Sequence, residues 1–230
     1  MTRRLAIIPA RGGSKRLPRK NILPFLGRPI IAYTIEAATK SGCFTRILVS
    51  TEDAEIADAA RAAGAEIHQR DPSLATDGAT LTEVCLDILA SEERDRRTYD
   101  TFACLYPTAP LRRADDIAAV VALAERPDTD FALAVTTYPL PPHQALQIAE
   151  DGALAPMWPE LVDLRADKIG KLVVDNGSTN AAKVKAFRMH RMFYGPRLAG
   201  HVMPRERSVD IDEQNDYDLA CWYANKLGYR

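Results

Sequence analysis

Short, unbroken apolar runs alternate with amphipathic stretches over residues 1–137 of the chain. Leu5 to Ile8 is rich in β-branched residues and stops abruptly at a turn, which predicts a buried strand. Pro29 then suits the first turn of a helix whose apolar stripe is Ile30, Ile31, Thr34, Ile35 and Ala38, with Gly42 as its stop. Arg46 to Thr51 reads as the second strand. Asp53 caps a helix running to Gly64, and Ala65 to His68 follows as a short third strand. Thr80 and Glu83 have the spacing of a capping box, ahead of Leu81, Val84, Cys85, Ile88 and Leu89 on one helical face. Thr101 to Tyr106 is the fourth strand, Asp115 to Glu125 a helix stopped by Pro127, and Asp130 to Thr137 the fifth strand. Continuous apolar strands alternating with amphipathic helices predict an α/β fold, Rossmann-like, with a mainly parallel sheet covered by helices on both faces.

The texture changes at Tyr138-Pro139-Leu140-Pro141-Pro142, a stiff connector. Gln144 to Ile148 and Ala153 to Met157 flank Asp151-Gly152, a strong hairpin signal. Residues 158–185 show weak periodicity, with Leu172 to Val174 as a short strand. The expected division is a core of residues 1–137 and 186–230, and a hairpin-containing insertion of residues 138–185. From Phe187 the chain returns through a short helix, a strand near His201 to Met203, and a last helix after Asn215.

Composition narrows the partners. A chain of 230 residues suits one large domain, and a net charge of −1 provides no global field towards nucleic acid or a membrane surface. No apolar run reaches membrane-spanning length. Cys43, Cys85, Cys104 and Cys221 are widely spaced and form no C-x-x-C, so reduced thiols in a cytoplasmic protein are expected rather than a zinc site. His68, His143, His190 and His201 fall in separate elements and are expected to be structural.

Against that neutral background one loop stands out. Ala10-Arg11-Gly12-Gly13-Ser14-Lys15-Arg16-Leu17-Pro18-Arg19-Lys20-Asn21 follows the first strand and packs cations around a glycine pair. Glycines let backbone N–H groups approach an anion, and the surrounding cations add a field of polyphosphate size. Neither the Walker A spacing nor the dinucleotide fingerprint is present. A phosphate site after a buried strand is the reading this pattern favours over a solvated basic loop. The second chemical feature is Asp210-Ile211-Asp212. If Ser208 to Asp212 is extended, the two carboxylates face one side and suit Mg²⁺, which takes one or two carboxylates with phosphate oxygens and waters. The alternative is a helix cap with first-turn acids, since Asn215, Asp216 and Asp218 follow.

The loop from Ala6 to Asn21, the stretch Leu105-Tyr106-Pro107-Thr108-Ala109-Pro110 and the Asp210-Ile211-Asp212 triplet together resemble the cytidylyltransferases that activate sialic acid and related nonulosonic acids as CMP-sugars. That resemblance covers nearly the whole chain. It implies transfer of CMP from CTP to a nonulosonic acid, with Arg11 on the α-phosphate, Lys15 and Lys20 on the leaving phosphates, and Ala10, Gly12, Gly13 and Ser14 lining the phosphate site. Asp210 and Asp212 would hold Mg²⁺, and Arg11, Lys20, Asp210 and Asp212 form the catalytic set. Asn21 matches the position that reads the cytosine edge, against a loop-capping role; Arg70 matches a nucleotide-contacting arginine, against a surface cation. Asp77 either ends the same segment at the site or caps the next helix. The resemblance further implies a homodimer built by the 138–185 excursion, with Gln144 and Arg165 on the acceptor. Arg165 sits in a segment that lacks the glutamine expected beside it. Tyr106 stands where sialic acid synthetases carry glutamine and is similar to the pseudaminic acid branch; it faces the acceptor sugar or packs under the loop. Two rivals remain at this level, a Kdo-type or other sugar nucleotidyltransferase and a non-catalytic nucleotide-binding regulator.

Overall fold

The computed structural model describes residues 2–229. Its strands are β1 (Arg4–Pro9), β2 (Pro24–Phe25), β3 (Arg28–Pro29), β4 (Arg46–Thr51), β5 (Glu66–Gln69), β6 (Thr101–Leu105), β7 (Phe131–Thr137), β8 (Leu146–Ile148), β9 (Leu154–Pro156), β10 (Val173–Lys183) and β11 (Leu198–Val202). Its helices are α1 (Ile30–Ser41), α2 (Ala54–Ala62), α3 (Leu81–Arg94), α4 (Ala114–Ala124), α5 (Ala166–Ile169), α6 (Val184–His190) and α7 (Gln214–Lys226).

Seven strands form one sheet in the order β11-β7-β10-β6-β1-β4-β5. All run parallel except β10, which is antiparallel to both β6 and β7. The unbroken apolar run of β1 follows from burial on two sides: Ala6 and Ile8 meet one core, Leu5 and Ile7 the other. The first core packs α1, α2 and α4 through Ile31, Ile35, Ile56, Ile117 and Val120. The second packs α3 and α6 through Val84, Ile88 and Phe187. A third cluster, centred on Phe25, Ile30, Leu111, Ile211 and Ala220, fastens α7 against the β2–β3 ribbon.

Local chemistry accounts for most ends. Asp53 caps α2 by accepting from Ile56 N–H, Thr80 and Glu83 form the reciprocal box on α3, and Gly42 closes α1 with φ 62°. Pro29 lies just outside α1 and pairs in β3, because its neighbour Arg28 is extended against Phe25.

One expectation fails in extent. Leu172 to Val174 is not a short strand in an insertion; Val173–Lys183 is a long strand in the middle of the main sheet. The weak periodicity has a physical cause. The strand is polar through Asp175-Asn176-Gly177-Ser178-Thr179-Asn180, and its register shifts between Asp175 and Asn180, so no alternation survives. The excursion outside the sheet is therefore residues 138–172, carrying the β8–β9 hairpin around Asp151-Gly152.

At the far edge, the N-terminus of α4 grips the turn that precedes Asp210. Asp116 is 3% exposed and accepts from Arg113 N–H, from the Arg207 guanidinium and from His201 Nε2 at 3.2 Å. Burial raises the pKa of this carboxyl, but Arg207, the Arg113 N–H and His201 outweigh burial and hold it below the usual carboxylate range. A folded pKa below the unfolded one means stabilisation that is complete above about pH 4 and lost as pH falls through the folded value. Asp116→Asn should lower the unfolding free energy by about 2 kcal/mol at pH 7. In urea titrations the gap to wild type should narrow as pH drops towards about 3.

Candidate active site

The carboxyl ends of β1, β4, β5 and β6 converge where the chain, having built β4 and β5 on one side of β1, crosses to β6 on the other. In open α/β sheets this switch point is where ligands bind. The cationic loop springs from it. Ala10 N–H donates to Ser50 O at 2.9 Å, Ser14 N–H turns back to Gly12 O at 3.0 Å, and Asn21 Nδ2 donates to Arg11 O at 2.8 Å. A Cβ on Gly12 would meet Asp53 Oδ2 at 2.6 Å, so the loop passes where only glycine fits. The result is a cleft of about 300 Å³ lined by Arg11, Ser14, Lys15, Arg16, Lys20 and Asp77.

Each cation of this loop faces a carboxylate. Arg11 and Lys15 share Asp77 at 2.8 and 2.6 Å; Arg16 and Lys20 share Asp212 at 2.5 and 2.7 Å. Arg19, in the left-handed region at φ 59°, turns aside to Asp53 and Glu55 at 2.5 and 2.6 Å. Arg11, Lys15 and Lys20 are thus arranged around the cleft, and Arg19 is not. Lys15 and then Arg11 hold the Asp77 carboxyl below its ordinary pKa. Asp77 does not cap α3, because Thr80 does. Gly12 N–H is occupied as well, donating to Glu52 Oε1 at 2.7 Å. Glu52 escaped the sequence reading; its one signal is an acid directly after a strand end.

Residues 208–211, which follow a turn at Arg205–Arg207, join no strand, but burial alternates along them: Val209 and Ile211 are buried while Asp210 and Asp212 are partly exposed, and Ile211 N–H donates to Thr108 O at 3.0 Å. With Ile211 buried, its two neighbours point away from the core: Asp212 reaches Arg16 and Lys20 at the cleft, and Asp210 lines an adjoining depression with Thr136, Val174 and Asp216. Neither caps α7, whose box is made by Glu213 and Asp216. Asp210 Oδ1 accepts from Thr108 Oγ1 at 2.5 Å, and its other oxygen lies against Gly177, where the backbone has φ 61° and a Cβ would collide with the carboxylate. Burial foremost, with the charge of Asp212, pushes the Asp210 carboxyl up to about 6. Burial also lifts Asp212, but Lys20 and Arg16 overcome it and hold it low. A half-buried carboxylate short of positive charge beside a second carboxylate is a donor set that fits Mg²⁺. Among the described residues no group of three or more Asp, Glu, His or Cys side chains could hold a metal ion by itself.

The other expected residues divide. Asn21 is 4% exposed; its Nδ2 is spent on Arg11 O, so Oδ1 is left as a buried acceptor without a partner. Arg70 is no surface cation: it is 3% exposed, with Nη2 on Ser50 O at 2.8 Å and Nε on Ser50 Oγ at 3.2 Å. Tyr106 directly follows β6, its hydroxyl 3.3 Å from Asn180 Nδ2, and burial keeps the phenol protonated far above the usual range. Below it, buried Arg112 donates to Ser178 O at 2.5 Å, to Tyr106 O and to Thr34 Oγ1, pinning the β6 exit to β10. Gln144 is exposed in a one-turn helix (Pro142–Gln144), and Arg165 is exposed and paired with Asp167 at 3.1 Å, so the chain does not bring these two to the loop.

A sequence model described as cytidylyltransferase matches residues 5–136. The chain is 34% identical over 217 residues to a pseudaminic acid cytidylyltransferase of Campylobacter jejuni, covering 94% of each. It is 34% identical over 225 residues to a CMP-N,N'-diacetyllegionaminic acid synthase of Legionella pneumophila, covering 94% of this chain and 93% of the relative. In fold it is similar to a CMP:2-keto-3-deoxy-manno-octonic acid synthetase solved with CTP, at a TM-score of 0.69 and 16% identity over 98% of this chain and all of that one.

Asp77 occupies the cations that an entering polyphosphate would need. Asp77→Asn should therefore tighten inorganic pyrophosphate about threefold in calorimetric titrations at low salt, the gain shrinking as salt screens the cleft.

Proposed function

We propose that this chain, which belongs to the cytidylyltransferase family in its CMP-nonulosonate branch, activates an acid of the pseudaminic type in a magnesium-dependent reaction. The transfer itself is of CMP from CTP to a nonulosonic acid. One contact carries the reading: Lys20 meets Asp212 at 2.7 Å, joining the cationic loop and the carboxylate pair into one site although they lie far apart in sequence.

The sugar's anomeric hydroxyl attacks the α-phosphorus and gives its proton to solvent water; that P–O bond forms, the bond from the α-phosphorus to the oxygen bridging to the β-phosphorus breaks, and pyrophosphate departs with the electron pair. The protein's task is in-line positioning and charge neutralisation. Arg11 serves the α-phosphate, and Lys15 and Lys20 the leaving pair, once the triphosphate displaces Asp77 and Asp212 from them. Asp210 and Asp212 would hold Mg²⁺, whose chemistry is to neutralise phosphate charge and acidify a coordinated hydroxyl or water. Displacing Asp212 from Lys20 and Arg16 would free that carboxylate for the ion.

Asn21 is assigned to the base. Its buried, unpartnered Oδ1 accepts only, which matches the exocyclic amine of cytosine and opposes the carbonyl uracil carries in its place. Arg70 supplies charge behind the loop. Tyr106 is assigned to the acceptor; its phenol offers a broad face where an amide would offer a slim donor–acceptor pair. A homodimer is part of the reading, supported by exposed Leu140, Ile148 and Leu154 on the 138–172 excursion, which would carry Gln144 and Arg165 towards a partner's site. A cytoplasmic setting is supported by four unpaired cysteines; no helix of the described residues is long and apolar enough to cross a membrane.

Pyrophosphate release, measured with CTP and pseudaminic, legionaminic or sialic acid in turn, tests the activity. Release with the pseudaminic acid foremost is expected, with loss on chelation of divalent cations and recovery with Mg²⁺; release independent of all three acids would defeat the assignment. Asp212→Asn should cut turnover at least about 100-fold with the fold retained, the size of one strong electrostatic contact. Tyr106→Gln should shift the ratio of kcat/KM between acceptors by about 1–3 kcal/mol and leave the KM for CTP nearly unchanged.

A further inference from the structure

Ser50 and His68 are directly paired in the β4–β5 ladder and face α3. Ser50 is fully buried and its two oxygens make four contacts. Its carbonyl accepts from Ala10 N–H at 2.9 Å and from Arg70 Nη2 at 2.8 Å. Its hydroxyl oxygen accepts from Arg70 Nε at 3.2 Å and lies 3.3 Å from His68 Nδ1. On the far side of the ring, His68 Nε2 is 3.7 Å from Asp87 Oδ2 on α3.

The proton positions follow from this inventory. Arg70 can only donate, so the Ser50 hydroxyl must accept from it and send its own proton elsewhere. Neutral His68 Nδ1 is the acceptor in reach, with the ring proton on Nε2 facing Asp87. Burial, together with Arg70 and Arg94, holds the imidazole below its ordinary pKa against the pull of Asp87 and Glu92, which keeps Nδ1 unprotonated at neutral pH. Among the described residues Arg70 makes no ion pair within 4 Å; Glu52 acts on it from farther away, and its side-chain hydrogen bonds all go to Ser50. We propose that His68 is a positioning residue for the nucleotide site: by taking the Ser50 hydroxyl proton it turns that oxygen's lone pair to Arg70, and so fixes the guanidinium and the root of the cationic loop at Ala10. The inference rests on the reading of this site as the CTP site, yet the orientation of Arg70 can be measured without any ligand.

The test compares His68→Leu, which leaves the Ser50 proton without an acceptor, with His68→Gln, whose amide oxygen restores one. By NMR of the ligand-free protein, the Arg70 Nε–H signal should be protected from exchange in wild type and His68→Gln and lose protection in His68→Leu. Calorimetry should show CTP weakened about tenfold in His68→Leu, the scale of one orphaned buried polar group, and by under about threefold in His68→Gln. At saturating CTP, kcat should stay within about threefold in both, giving a KM effect rather than a kcat effect. A protected Arg70 signal in His68→Leu, or equal behaviour of the Leu and Gln variants, overturns the proposal. If His68→Leu does not fold, Ser50→Ala serves instead: it should weaken CTP similarly, and His68→Gln added to it should change nothing further. Failure of wild type to bind CTP, with the Arg70 pattern as expected, would instead refute the CTP reading and leave the positioning intact.

Discussion

Lys20 and Asp212 meet at 2.7 Å, and this ion pair is the constraint on which the site depends. A loop carrying Arg11, Lys15, Arg16 and Lys20 repels itself unless anions hold it together. Here the anions are side chains, Asp77 on one flank and Asp212 on the other. On the reading proposed above, the same carboxylates leave or turn when a triphosphate enters, so the pocket is organised by groups its substrate would replace. Preorganisation of this kind lowers the ordering cost of binding at the expense of a competition, and the exposed Asp77 flank is where that competition is cheapest to resolve.

Beneath the charges lies a second, buried framework. Arg112 bonds Ser178 O, Tyr106 O and Thr34 Oγ1 from a position 3% exposed, and burial draws its pKa down to about 10. It is a guanidinium used as a rivet: Ser178 O already accepts from Tyr106 N–H at 3.0 Å, and Arg112 adds a second donor that ties the β6 exit to β10. Thr108 and Gly177 do related work around Asp210, one by a hydrogen bond and one by having no side chain. Charge at the rim and polar packing below together place the two aspartates.

Much of this was legible in the chain. β1, β4, β6 and β7 are apolar on both faces, so each announces itself without any knowledge of its neighbours, and the caps at Asp53 and Thr80 are set by residues within one turn. The loop was legible because its charges stand out in a neutral protein. What could not be read is whatever depends on a distant partner. β10 is polar because it serves the site, so it imitates an insertion. Asp77 looks like a helix cap until Arg11 and Lys15 are seen beside it. Arg70 looks exposed because arginines usually are, and only Ser50 explains its burial. The carboxylates of Asp210 and Asp212 were legible as a pair two residues apart, but the partners that hold each of them, Thr108 and Gly177 for one and Lys20 and Arg16 for the other, were not.

The antiparallel strand β10 has a consequence for how the chain reaches this structure. β6 and β7 are never neighbours; each bonds to β10, which is made later than both. During synthesis the half-sheet of β5, β4, β1 and β6 can close from contacts already present, while β7 waits with both edges open until residues 173–183 arrive. Loop closure across the 138–172 excursion then has to precede pairing, a non-local step of the kind that slows folding and exposes strand edges. Asp212 comes later still, so the cationic loop is synthesised long before the carboxylate that pairs with its Arg16 and Lys20.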